Sequence, residues 1–272
     1  MGISTVKGNG GFLGTDARRF ITSSGVISQR KARIERLDGK LGPVYPTSFI
    51  FEDDFSSNDL SKWTVKNDGS SRSWIVTSGA VIKSTGGSTV AVPSGSTYAA
   101  CVSNDGTNNT YSNYTEIHMY FDVDIPSGTS SLTLTFDWMC KGENQSGNSN
   151  YDFGYIMFAD PSSFTPAAGT NYGLSGTGYE RIIGTNNSAF NTNNGKFNCE
   201  DNGSNPRCPT TLSPNTTEAF LSDNITIDSS EITTGTLWQT GVTRRIVFSF
   251  KSDVSANLNP SWTVANIKLA AN

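Results

Sequence analysis

A chain of 272 residues is long enough to bury a sizeable core, either as one large domain with an appendage or as two smaller ones. Hydrophobic residues make up 35% and charged residues 16%, with Gly, Ser, Thr and Asn abundant, a balance that suits short strands and polar loops and gives little material for long helices. The net charge is −4, and no run of ~18 apolar residues occurs, which excludes a helical membrane span.

The first 46 residues carry the opposite charge from the rest. Lys7, Arg18, Arg19, Arg30, Lys31, Arg33, Arg36 and Lys40 stand against Asp16, Glu35 and Asp38, so this segment carries +5 and the remainder −9. Basic arms of this kind dock onto acidic protein surfaces or nucleic acid. Base-stacking aromatics are sparse, with only Phe12, Phe20 and Tyr45 before Pro46, which favours a protein surface and makes nucleic acid a poor partner. Arg18, Arg19, Arg30, Lys31, Arg33 and Arg36 are the expected anchoring residues. The competing reading of the same charges is the solvated face of a short helix across Gln29 to Leu37.

Lys7 to Gly14 is glycine-rich, but Leu13 stands where a dinucleotide fingerprint needs its third glycine, and no Walker loop is formed. Met1 to Gly8 lacks the apolar stretch of a secretory signal. Read as a true start, it implies a protein made in the cytoplasm that leaves only inside a larger particle. Gly39, Gly42, Pro43 and Pro46 then mark a boundary, which divides the chain into an arm, 1–46, and a domain, 47–272.

Beyond the boundary the pattern is that of strands. From Tyr114 to Val123, Thr115, Ile117, Met119, Phe121 and Val123 share one face and should line a core. Tyr114, Glu116, His118, Tyr120 and Asp122 share the other and should meet solvent or a partner. Ile125-Pro126-Ser127-Gly128 has turn chemistry. Leu132, Leu134, Phe136 and Trp138 then alternate with Thr133, Thr135, Asp137 and Met139. Residues from about 160 to 218 turn polar and read as a long loop insertion holding Tyr172, Tyr179, Phe190 and Phe197. Arg245 to Lys251 and Trp262 to Leu269 restore the alternation. The spacing predicts an all-β, jelly-roll β-sandwich with an extended N-terminal arm, with Trp63, Trp74, Phe136, Trp138 and Phe248 in or beside its core.

Catalytic chemistry finds little support. His118 is the only histidine and sits mid-strand, where an exposed strand residue is the expectation rather than a general base. No Gly-x-Ser-x-Gly elbow occurs. Glu116, Asp122, Asp137 and Glu143 lie on neighbouring strands, but such acids on sandwiches usually form a solvated face. Cys101 and Cys140 read as small buried hydrophobes, and Cys199 and Cys208 have a spacing that can bridge a loop. Zinc spacing is absent, so no metal ligand set is expected.

A string of motifs carries a resemblance: Phe51-Glu52-Asp53-Asp54-Phe55, Leu60-Ser61-Lys62-Trp63, Trp74-Ile75-Val76, Ala100 to Gly106, Tyr120 to Val123, Leu132 to Trp138, Tyr151-Asp152-Phe153, Leu237 to Thr240, Arg244 to Phe250 and Val264 to Ile267. Over residues 48–270 the chain resembles a MAM-like or choice-of-anchor J jelly-roll domain, a non-catalytic type found in surface and adhesive proteins of Bacteroidetes-type bacteria and in their phages. The resemblance implies binding or assembly and no enzyme activity. It also implies a structural calcium as the one cofactor to consider, with Glu52, Asp53, Asp54, Asp105, Glu143 and Asp152 as oxygen-bearing candidates, although the last strand carries Ala265 where the family often has an acid.

The resulting expectation is a virion structural protein, such as a phage capsid decoration, head-fibre or tail accessory protein. It would be anchored by its arm to other assembly proteins, as a homo-oligomer or array, and would display a domain that meets glycans through Tyr172 and Tyr179. The alternative is a bacterial cell-surface or secreted carbohydrate-binding adhesin module.

Overall fold

The protein is represented by a computed structural model. It describes residues 20–22, 25–27, 49–68, 72–79, 82–84, 87–112, 114–142, 144–145, 149–184, 194–198, 220–253 and 260–272. The chain divides into two compact units, 1–46 and 47–272. Arg18, Arg19, Arg30, Lys31, Arg33, Arg36, Glu143, Cys199 and Cys208 lie outside the described residues. In the first unit, strands β1 (Phe20–Thr22) and β2 (Gly25–Ile27) form an antiparallel pair.

In the second unit every described regular element is a strand. In chain order these are β3 (Phe49–Asp53), β4 (Thr64–Lys66), β5 (Ser73–Ser78), β6 (Tyr98–Ser103), β7 (Glu116–Ile125), β8 (Leu132–Met139), β9 (Asn144–Gln145), β10 (Ser149–Asn150), β11 (Phe153–Ala159), β12 (Ser175–Gly176), β13 (Tyr179–Arg181), β14 (Leu221–Ile227), β15 (Val242–Lys251) and β16 (Thr263–Ala271). The first large sheet runs β12-β13-β11-β15-β7-β4. The second runs β14-β8-β16-β6-β5, with β3 also paired to β16. All pairings are antiparallel. Consecutive strands β7 and β8 lie in opposite sheets, as do β15 and β16, so the chain crosses repeatedly between layers and builds a β-sandwich of the jelly-roll kind.

The period-2 pattern explains which faces meet. Ile117, Met119, Phe121 and Val123 of β7, Leu132, Leu134, Phe136 and Trp138 of β8, and Ile246, Phe248 and Phe250 of β15 share one buried cluster between the sheets. Aromatic edges and faces interlock there: Trp63 meets Phe121 at 5.1 Å and Phe248 at 5.5 Å between ring centroids, and Trp138 meets Phe197 at 5.1 Å. Trp63, Trp74, Phe136, Trp138 and Phe248 are all buried, as the alternation predicts. Gly154 is required by this packing, because a Cβ built there would overlap the indole of Trp262. Cys101 and Cys140 are buried, and burial raises the Cys101 thiol pKa.

The outer face of the first sheet departs from the sequence expectation. His118 is fully buried and Tyr120 nearly so, where solvent or a partner was expected. The cover comes from the segment after β11. Phe164 packs with Tyr120, Tyr155, Met157 and Val247 in a second apolar cluster, and Gly169 N donates to the Glu116 carbonyl at 2.8 Å. Arg245 fastens the start of this segment. Its guanidinium grips Asp122 through Nε at 2.7 Å and Nη2 at 2.8 Å, lies 4.0 Å from the Tyr120 ring centroid and donates to the Phe164 carbonyl at 2.8 Å. Residues 175–181 supply β12 and β13, which extend the sheet inside the stretch that reads as loop.

Candidate functional site

On the outer face of the second sheet, four strands lay polar side chains side by side. Thr135 of β8 faces Lys268 of β16, and Lys268 faces Glu52 of β3. One step along, Ser222 of β14 faces Asp137 of β8, which faces Ala265 of β16. The ladder then breaks between Ala265 and Lys268, and Asn266 takes a left-handed φ of 50°. Asn tolerates that conformation better than most residues, and a bulge of this kind re-aims a side chain. Here it turns the Asn266 amide to donate to Asp137 Oδ2 at 2.7 Å. Ser222 Oγ donates to the other oxygen, Oδ1, so Asp137 is held from both flanking strands.

Around this pair lies a cavity of about 450 Å³, lined by Glu52, Asp53, Asp54, Asp137 and Asp223 as well as Lys62, Lys268 and Asn266. Five carboxylates against two lysines give it negative potential. Asp54 is held below its usual range by hydrogen bonds from the Ser56 backbone and hydroxyl. Lys62 Nζ donates to the Glu52 carbonyl at 2.8 Å. Lys268 of this lining has its Nζ 5.3 Å from the ring centroid of Phe49, one of three large apolar side chains exposed among the described residues. The groove therefore pairs fixed hydrogen-bonding groups with an exposed aromatic ring, the combination that holds a polyhydroxylated ring by its edge and its face.

Of the oxygen-bearing calcium candidates, Glu52, Asp53 and Asp54 line this cavity, while Asp105 and Asp152 are engaged elsewhere. Asp53 accepts from Phe55 N at 3.0 Å and Trp63 Nε1 at 2.8 Å, while Asp152 accepts from the Tyr111 hydroxyl at 2.8 Å and Asp253 N at 2.9 Å. Asp105 caps its own turn. Burial opposes its charge, yet hydrogen bonds from Asn108, Thr107 and Ser103 outweigh that and draw its pKa down to about 2. Among the described residues no group of three or more His, Cys, Asp or Glu is placed to hold a metal ion. Glu116 and Asp122 lie on the first sheet and Asp137 on the second, so these acids do not form a pair across one bond.

Tyr172 and Tyr179 sit in the covering segment, half-buried and turned toward each other and Phe164, with centroids 4.5–5.3 Å apart. The Tyr172 hydroxyl accepts from Ala167 N at 2.9 Å. The sequence singled out both rings; Tyr172 lies 5.4 Å from the His118 ring, and neither tyrosine lines the groove. His118 bridges sheet and cover: Nδ1 is 2.8 Å from Ser249 Oγ and Nε2 is 3.1 Å from the Ala167 carbonyl.

Burial holds the imidazole pKa down to about 4, against partial compensation from the Ala167 and Thr170 carbonyls. A base whose pKa is depressed on folding binds its proton first in the unfolded chain, so stability should fall as pH drops from about 6.5 toward 4. We expect the urea midpoint to decline over that window in the native protein and to decline distinctly less in His118→Asn. Identical pH profiles for the two proteins would show that His118 is not the group responsible.

Sequence reasoning left out Asn266, Ser222, Lys268 and Phe49. The one available signal was Asn266 itself, a residue depleted from strands in the middle of Val264-Ala265-Asn266-Ile267-Lys268. No protein-family model and no curated protein matches the sequence. Among solved structures the chain is similar to the K1 cleaved adhesin domain of Lys-gingipain from Porphyromonas gingivalis W83, with 12% identity, TM-score 0.40, and coverage of 82% of this chain and 98% of that one. It is also similar to TmCBM61 in complex with beta-1,4-galactotriose, with 10% identity, TM-score 0.38, and coverage of 83% and 99%. A third likeness is to the enzymatically active domain of bacteriophage CBA120 tailspike protein 4, with 8% identity and TM-score 0.40 over 80% of this chain, which spans only 20% of that one.

Proposed function

We propose that residues 47–272 are a non-catalytic carbohydrate-binding β-sandwich, and that the whole chain is a virion structural protein attached through its basic first 46 residues. The observation that carries the binding reading is the Asp137–Asn266 pair, locked at 2.7 Å by a bulge and set in a cavity of about 450 Å³, with the exposed ring of Phe49 next to Lys268 of its lining. Carboxylate and amide together offer acceptors and a donor to adjacent sugar hydroxyls, and their fixed geometry lowers the entropic cost of binding. The run of motifs resembling a MAM-like domain supports the same class.

The attachment reading rests on the charge split of +5 against −9. Arg18, Arg19, Arg30, Lys31, Arg33 and Arg36 would then meet an acidic neighbour in the assembly. Glycan-array screening followed by calorimetry on the best hit tests the groove. Asp137→Ala should weaken that hit about tenfold or more while the urea midpoint stays near the native value. Unchanged affinity in Asp137→Ala, or an array without hits, would overturn the groove as a sugar site.

Removing residues 1–46 should leave groove binding intact and abolish incorporation into particles, with charge reversal at Arg30, Lys31, Arg33 and Arg36 acting most strongly at low salt. Full incorporation of the truncated protein would move attachment to the sandwich and leave the first 46 residues without an anchoring role.

A further inference from the structure

The outer face of the first sheet gathers positive charge in a unit whose net charge is −9. Three cations share one aromatic ring: Lys196 Nζ, Arg181 Cζ and Lys251 Nζ lie 4.7, 5.6 and 5.8 Å from the centroid of Phe153. Among the described residues none of the three has an acidic oxygen within ion-pair distance. Arg181 is the most constrained. It is only 4% exposed, lies 4.3 Å from the Tyr155 ring centroid and spends Nη2 on the Tyr172 carbonyl at 2.6 Å, while its Nε is buried with no partner.

A desolvated guanidinium with an unfilled donor, flanked by two lysines, is an arrangement that an anion completes. Among the described residues the acids nearest this cluster are Glu116, opposite Lys251 across β7 and β15, and Asp68 close to Glu116. Asp68 is paired with Arg72 at 2.9 Å, so among the described residues one unpaired carboxyl stands against three cations. Burial, Arg181 and Lys251 in turn all lower the Lys196 pKa, so these cations repel one another where they stand.

The geometry points to a subsite for a carboxylated sugar residue of the uronic- or sialic-acid type. Its carboxylate would be held by Lys196 and Lys251 in front of Arg181, and its C–H face would lie against Phe153 once the half-buried lysine arms move off the ring. A saccharide fits better than a nucleic acid, because the acidic unit repels an extended polyanion and the cations form a cluster and not a track. A bare phosphate would use the charges and leave the ring without a role. The subsite is on the opposite sheet from the Asp137 groove, and its ligand class rests on the carbohydrate-binding reading.

The test uses the full chain and four probes at low salt: a trigalacturonate, a neutral galactose trimer, a DNA trimer, and inorganic phosphate as competitor. The acid trimer should bind at least tenfold more tightly than the neutral one through this subsite, weaken as salt is raised, and lose tenfold or more in Lys196→Gln/Lys251→Gln. Asp137→Ala should leave it unchanged, which separates failure of the groove from failure of this site. Equal affinity for the neutral trimer in Asp137→Ala, equal binding by the double variant, displacement by equimolar phosphate, or equally tight binding of a DNA trimer would each overturn the assignment. Because the comparison of acid with neutral trimer is also made in Asp137→Ala, where the groove no longer competes for the neutral sugar, it decides the question even if the double variant fails to fold.

Discussion

Trp138→Ala is expected to cost about 3–5 kcal/mol of stability, the range for emptying a large aromatic site in a close-packed core. The side chain has no exposed surface, packs edge-on against Phe197, and donates its indole N–H to Asp223 Oδ2 at 2.6 Å. The lost burial, the cavity and the lost hydrogen bond therefore act together. Trp138→Phe separates them, since it keeps most of the ring and should cost roughly 1 kcal/mol for the missing hydrogen bond plus a smaller packing loss. Equilibrium urea unfolding monitored by circular dichroism measures both. A near-neutral alanine variant would mean that Trp138 does not occupy the space between the sheets.

Gly154→Ala should be as damaging although it adds one carbon. Gly154 sits in β11 between Phe250 on one side and Phe197 on the other, and its backbone exchanges hydrogen bonds with Phe197 at 2.8 and 3.0 Å. The Cβ would enter the indole of Trp262, which itself lies against Phe197 and Phe248 with centroids 5.4 and 5.5 Å away. Overpacking usually costs about 1–3 kcal/mol, and this site should reach the top of that range or exceed it, because the obstructing atoms are a rigid ring in a full core. Thermal melting of Gly154→Ala beside the native protein gives the readout. A variant melting within a degree or two of the native protein would show that Trp262 can yield.

The alternation of Leu132, Leu134, Phe136 and Trp138 was legible because each inward residue has a polar neighbour in sequence, and local parity is all that a two-residue period encodes. The same argument misjudged His118. Its cover comes from Ala167, forty-nine positions later, and no local pattern records that a distant segment folds back over a strand. The groove was hidden for a related reason. Asp137, Ser222 and Asn266 meet only through the registers of β14, β8 and β16, and sequence does not specify registers between strands so far apart. Tyr172 and Tyr179 stood out as loop aromatics, but whether such a ring faces outward or anchors its loop depends on what lies beneath it. Here Phe164 does.

The position of β16 also sets the order of folding events. One edge of β16 pairs with β8 over most of its length, and the other is shared between β6 and β3, with Ile267 opposite Asp53, 214 positions earlier. A ribosome must therefore release almost the entire domain before the second sheet can close, and until then β3, β6 and β8 lack their common neighbour. Such non-local pairing predicts slow refolding, on the scale of milliseconds to seconds, and exposes unpaired edges to other nascent chains in the interval. Trapping of the newly made protein by a chaperone, relieved when β16 emerges, would be the cellular trace of that delay.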